Sequence, residues 1–140
     1  MYMKRLVLIL FLSLQLHAGQ IIVNKNNILS QLNFTDIQQI FRLQRLSWSN
    51  GETISVYMLP SASPTQNDFT HRYLYMNARE VYEHWMAYVL NGGMNNPPLF
   101  LNERRLLKQI NKKVNSIGLV SDDAILPSNV KVIYRFSERY

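Results

Sequence analysis

Leu59-Pro-Ser-Ala-Ser-Pro-Thr-Gln-Asn-Asp-Phe69 reads as a tight loop that opens a helix. Ser63 stands where an N-cap belongs, Pro64 suits the first helical position, and Gln66 completes a Ser-x-x-Gln capping box. Proline has no N–H, so the free donors of this helix start are those of Thr65, Gln66 and Asn67. The hydroxyls of Ser61, Ser63 and Thr65 lie beside them. Backbone donors, hydroxyls and the positive end of a helix dipole together suit an oxyanion. The same residues also describe a helix that is well capped and binds nothing.

Outward from this loop, short apolar runs alternate with helical patterns, which argues for an α/β domain. Gln20 to Asn24 reads as a buried strand, and Thr53 to Met58 as a strand whose Ile54, Val56 and Met58 alternate with Thr53, Ser55 and Tyr57. Between them, Thr35 and Gln38 form a second capping box for a helix to Phe41 with Ile37, Ile40 and Phe41 on its apolar face. Trp48-Ser-Asn-Gly51 carries an Asn-Gly turn signal. The helix from Pro64 runs to about Tyr75. Asn77 and Glu80 cap another that reaches Leu90, buries Val81, Trp85, Tyr88 and Val89, and stops at Gly92-Gly93. Asn95-Asn96-Pro97-Pro98 is loop. Asn102 caps a helix to Val114 that is buried through Leu106, Leu107, Ile110 and Val114. Ile117 to Val120 and Val130 to Phe136 are strands.

Residues 1–18 carry the pattern of a secretory signal peptide: basic Lys4 and Arg5, an apolar run from Leu6 to Leu14, and a cleavage signal at Leu16-His17-Ala18. The run is short for a permanent span. Cleavage after Ala18 leaves 122 residues, enough for one domain with a real core, over 19–140. The chain has no cysteine, so disulfides, Fe–S clusters, cysteine zinc sites and lipid acylation are excluded. The expected compartment is the periplasm. The mature part holds 13 basic and 9 acidic residues, net +4. Such a surface attracts anionic solutes or lipid headgroups, and export argues against nucleic acid.

The order of features is more specific than any one of them. A strand ends in Asn24, followed by Leu32 and the Phe34–Phe41 run, then Trp48-Ser-Asn-Gly51. A strand runs into Pro60-Ser-Ala-Ser63-Pro64 and Phe69. Tyr82 and Trp85 precede Gly92-Gly93 and Pro97-Pro98, and Ile117-Gly-Leu-Val120 closes the series. Over nearly all of the mature chain this resembles the phosphate ABC transporter substrate-binding family, in particular its short single-chain members. The resemblance implies a type II periplasmic-binding-protein fold, here as a single lobe with a mixed sheet flanked by helices. A full two-lobe member is about twice this length. The chain aligns from a hinge strand at Ile21 to Asn24, through the second lobe, and returns near Ile117 to Val120, without the first lobe. The family's anion contacts come from an Arg-x-x-x-Ser-Gly-Thr motif. Its serine falls on Ser63 and its threonine on Thr65, but its glycine on Pro64 and its arginine on Leu59. Short members often place a Gly before the serine and an Arg three residues after it; here these are Ala62 and Gln66. A bidentate arginine is among the strongest phosphate contacts, and nothing local replaces it. Arg72, Arg42 and Arg45 are the other candidate sources of charge.

Two function classes stay open. One is a non-enzymatic binding protein that holds phosphate or a similar oxyanion at Ser61, Ser63 and Thr65. The other is an envelope interaction module, with a protein partner or a second copy, that keeps the fold and has lost its ligand. Neither needs a cofactor. Glu80 and His84 make half a metal site with nothing to complete it. Asp68 and His71 make a weak dyad without a nucleophile elbow, so no enzyme is expected. Arg104, Arg105, Lys108, Lys112 and Lys113 form either a solvated face or a basic surface for anionic lipid or an acidic partner.

Overall fold

The computed structural model describes residues 19–29, 31–92 and 99–136. The expected signal peptide, Gly93, the Asn95–Pro98 loop and the Ser137–Tyr140 tail lie outside the described residues.

Ile21, Ile22 and Val23 form a continuous apolar run, and a strand of that kind suits a sheet covered on both faces. They lie in β1 (Gly19–Asn24), which is buried throughout. The other strands are β2 (Ser55–Met58), β3 (Leu99–Phe100), β4 (Ser116–Ser121) and β5 (Val130–Phe136). The five form one mixed sheet in the order β3-β2-β4-β1-β5. β1 runs antiparallel to β4 on one side and to β5 on the other. β2 runs parallel to both β3 and β4.

Helices cover both faces. α1 is Phe34–Phe41, α2 Pro64–Phe69, α3 Ala78–Leu90 and α4 Glu103–Lys112. Alternation along β1 sends Asn24 toward α4, where its Nδ2 donates to the carbonyls of Ile110 (2.9 Å) and Asn111 (3.1 Å). Gly19 faces the other way, against Thr65 of α2 and the Phe136 ring. On the α4 face, Gly118 lets Leu106 and Ile110 come down onto β4.

Several elements differ from their sequence reading. α1 is capped by Asn33 rather than Thr35: the Asp36 N–H donates to Asn33 Oδ1 (2.8 Å), and the Asn33 N–H to Asp36 Oδ2 (3.3 Å). Gln38, the expected reciprocal partner, donates to the Tyr73 carbonyl instead (2.9 Å). β2 starts at Ser55 and is buried at all four residues, because β3 and β4 flank it; Ser55 and Tyr57 are therefore not the exposed half of an alternating strand. β3 is too short to carry a periodic signal. The Pro64 helix loses α geometry at Thr70 and continues as a π-helical turn over Thr70–Leu74, closed by Tyr75 at φ 53°. Side chains from α1 meet the carbonyls at that end: Gln38 on Tyr73, and Arg42 Nη2 on Leu74. α3 keeps Val81 and Trp85 buried, with Tyr88 and Val89 only partly covered. α4 ends at Lys112, and Val114 is exposed rather than core.

Phe69, Tyr73, Phe136 and Tyr134 pack as an aromatic cluster between the π turn and β5. Burial first, then the hydrogen bond with the Tyr134 hydroxyl, holds the Tyr73 phenol above its usual range. The raised value means that folding favours the neutral phenol. That contribution is complete below about pH 10, the ordinary phenol value, and declines above it. Urea midpoints should fall more steeply above pH 10 for the native sequence than for Tyr73→Phe.

A Cβ at Gly118 would sit 2.8 Å from Leu106 Cδ2 and 3.2 Å from Ile110 Cδ1. Gly118→Val should therefore force α4 off the sheet and cost about 1–3 kcal/mol in urea unfolding.

Candidate functional site

The C-terminal ends of parallel β2 and β4 point the same way, and the crevice beyond such ends is where open α/β sheets take ligands. β2 leads there into the Leu59–Ser63 loop and the start of α2.

The loop is tied back on itself. The Ser63 N–H donates to the Pro60 carbonyl (2.9 Å). Asn67 Nδ2 donates to the Ser61 carbonyl (2.9 Å). Ser63 is the N-cap, and its Oγ accepts from the Gln66 N–H (3.3 Å). The capping box, however, is half built. The Gln66 side chain does not return to Ser63; its Oε1 accepts the buried Leu59 N–H (3.1 Å), and its Nε2 faces Met58 Sδ. An amide trapped under β2 finds its partner there, and that interior bond outweighs a solvent-side cap. The Asn67 N–H is also used, on the Ser63 carbonyl (3.1 Å). Of the three donors expected at this helix start, the Thr65 N–H is the one these contacts leave over.

The three candidate hydroxyl residues do not share one environment. Thr65 is only 6% exposed, its methyl against Gly19. Ser63 is half-buried and Ser61 exposed. Ser61 lines an open groove of about 510 Å³ with Pro60, Ala78, Arg79, Tyr82 and Phe100, facing α3 and β3 rather than Gly19.

The candidate charges are committed elsewhere. Arg72 pairs with Asp68 and lies 5.4 Å over the Phe136 ring. Arg42 holds the Leu74 carbonyl, and Arg45 lies 3.5 Å from Asp36. Arg79 is the guanidinium that the sequence reading missed. It is exposed at the start of α3, pairs with Glu83 at 2.9 Å, and borders the Ser61 groove. Nothing in its spacing from Ser61 signals this; the placement comes from α3 packing beside the loop. At the same end of the sheet, the Ser121 N–H and Oγ both donate to the Glu103 carboxylate (2.9–3.1 Å). Those donors already hold an internal anion.

The remaining chemistry is structural. His84 Nε2 contacts the Arg42 carbonyl (2.6 Å), and its ring packs on Tyr88. His71 Nδ1 contacts the Asn67 carbonyl (2.8 Å), while Asp68 is on Arg72, so Asp68 and His71 form no dyad. Among the described residues, no three His, Cys, Asp or Glu side chains gather as a metal site. No helix among them is long and apolar enough to cross a membrane.

A five-stranded mixed sheet of this order, flanked by helices, is a periplasmic-binding-protein-like α/β fold. The fold is shared with an ABC-type phosphate transport receptor from Vibrio cholerae: TM-score 0.63, 19% identity, 84% of this chain and 46% of that one. It is shared equally with a Clostridium perfringens protein described as a phosphate ABC transporter substrate-binding protein, with phosphate bound: TM-score 0.62, 17% identity, 84% of this chain and 45% of that one. The chain thus spans less than half the length of the structures it matches. No family model and no curated protein matches the sequence.

Gln66 is the local keystone of the loop. Gln66→Ala strips the buried Leu59 N–H of its acceptor. It should destabilise the protein by about 1–3 kcal/mol in urea unfolding, more than Ser63→Ala, which loses only a cap worth about 1 kcal/mol.

Proposed function

We propose that this chain is a non-enzymatic, exported binding protein that takes phosphate or a similar oxyanion at the loop joining β2 to α2. The observation that carries the reading is the Thr65 N–H and the Ser63 hydroxyl at the open end of β2, on a fold shared with phosphate receptors. Ser63 Oγ accepts from Gln66 and keeps its own proton to donate. Ser61 assists from the groove side, where Arg79, held only by an exposed pairing with Glu83, supplies positive charge along the same groove. Residues 1–18 act as the export signal, and the periplasm is the working compartment.

The affinity should be weak. The motif arginine is replaced by Leu59 and the motif glycine by Pro64. Receptors of this kind bury ligand by closing a second lobe over it. A few backbone and hydroxyl donors at a solvated site point to a dissociation constant on the order of millimolar.

A second reading rests on the Ser61 groove. Tyr82 and Phe100 lie along it, tilted against each other at 6.5 Å and exposed, which is an unusual use of aromatic surface for a site meant only for phosphate. On this reading the groove docks an envelope protein or a second copy of the chain, and the anion site is vestigial.

Calorimetric titration with phosphate at low salt separates the two. The native protein should bind saturably, and Ser63→Ala/Thr65→Ala should weaken binding at least tenfold while remaining folded. No heat in either folded protein would reject the oxyanion reading. Crosslinks at Ser61 or Tyr82 would then identify the docked partner.

A further inference from the structure

α4 carries a charge pattern that neither the sheet nor the candidate anion site uses. Leu106 and Ile110 pack inward against Gly118. Arg104, Lys108 and Lys112 follow one another at intervals of four, so they form a single ridge on the opposite side. Arg105 and Lys113 flank it, and all five are exposed. The one carboxylate of the helix, Glu103, is turned inward onto Ser121. Among the described residues, no carboxylate forms an ion pair with any of the five. Like charges at this spacing repel, and an anionic surface relieves that repulsion.

The ridge borders an apolar feature. Arg104 and Lys108 line an open groove of about 640 Å³ with Leu107, Ala124, Ile125 and Pro127, and Glu103, Asn111 and Asp123 also border it. Ile125 stands at 91% exposure on the loop between β4 and β5. Asp122 and Asp123 lie on that loop and reduce the positive field without reversing it, two acids against five bases. A protruding aliphatic side chain beside a cationic ridge matches the boundary of an anionic bilayer. Headgroups meet the cations there and the acyl region meets the apolar tip. A solvated acidic protein would satisfy the ridge but give Ile125 nothing to enter.

We infer that α4 and the Ile125 loop form a peripheral membrane-contact surface for anionic phospholipid. The inference does not rest on the oxyanion reading: α4 covers the face of the sheet opposite Thr65 and uses none of that loop's residues.

The test is co-sedimentation of the protein as cells leave it, its N-terminus fixed by mass spectrometry. Vesicles of phosphatidylcholine with phosphatidylglycerol are compared with phosphatidylcholine alone, at low and high salt. Binding should be confined to the anionic vesicles and should fall with salt. Arg104→Gln/Lys108→Gln/Lys112→Gln should weaken it about a hundredfold, roughly fivefold per cation. Ile125→Ser should weaken it about tenfold. Lys25→Gln, an exposed cation away from α4, should change it little. Circular dichroism must show every variant folded; the sites are solvent-facing, and a Lys108→Arg variant should retain binding. Equal partitioning onto both vesicle types would overturn the inference. So would equal losses in the Lys25 and α4 variants. Binding to polyglutamate without binding to anionic vesicles would overturn it in favour of an acidic protein partner.

Discussion

The fold closes through β1. Both of its edges are taken, by β4 in one direction and β5 in the other, and both partners come from the last quarter of the chain. Almost everything between is therefore enclosed in a long loop, whose closure costs entropy when these ladders form. Burial of Ile21, Ile22 and Val23 on both faces drives that closure. The polar ends of β1 are handled individually. Asn24 takes up the carbonyls at the end of α4, and its Oδ1 accepts the Asn26 N–H (3.0 Å). Gly19 leaves room for Phe136 and Thr65. The start of β1 is thus also the floor of the candidate site, so packing in the core and the position of Thr65 are one problem.

The polar residues that first look free are mostly used up by the fold. α1 presents Gln38 and Arg42 to the π turn, Trp85 donates to the Phe41 carbonyl (2.9 Å), and His84 approaches Arg42. A helix that changes geometry at Thr70 shifts its carbonyls out of α register, and Gln38 and Arg42 meet them, while Trp85 and His84 meet the carbonyls that end α1. Buried carbonyls have a prior claim on donors, because leaving them unpaired costs more than an exposed contact returns. Arg42 is committed in this way to the Leu74 carbonyl, whereas Arg72 and Arg45 are drawn to the carboxylates of Asp68 and Asp36. The cations of α4 remain exposed and without a carboxylate partner among the described residues.

Much of the fold was legible in the sequence: the apolar run of β1, the α/β alternation, the Asn77 and Asn102 caps, the Gly51 turn and the Leu106 and Ile110 positions of the α4 face all stand where the pattern put them. These signals are local, carried by residues within a turn or two of one another. Less of the candidate site was legible. The sequence found the Ser63 cap and the loop, but the side-chain partner of Gln66, the separation of Ser61 from Thr65, and the approach of Arg79 depend on residues far apart along the chain.

By itself, then, the sequence determined the longer strands and helices and where the β2–α2 loop opens, but not β3 or the π turn, because capping and periodicity are short-range. Only the tertiary structure decided which of several adequate hydrogen-bond partners each side chain takes. Gln66 turns to the buried Leu59 N–H, and Glu103 turns to the partly buried Ser121. The physical reason is common to both. Competing local bonds differ by about 1 kcal/mol or less, and burial of one partner is enough to choose between them.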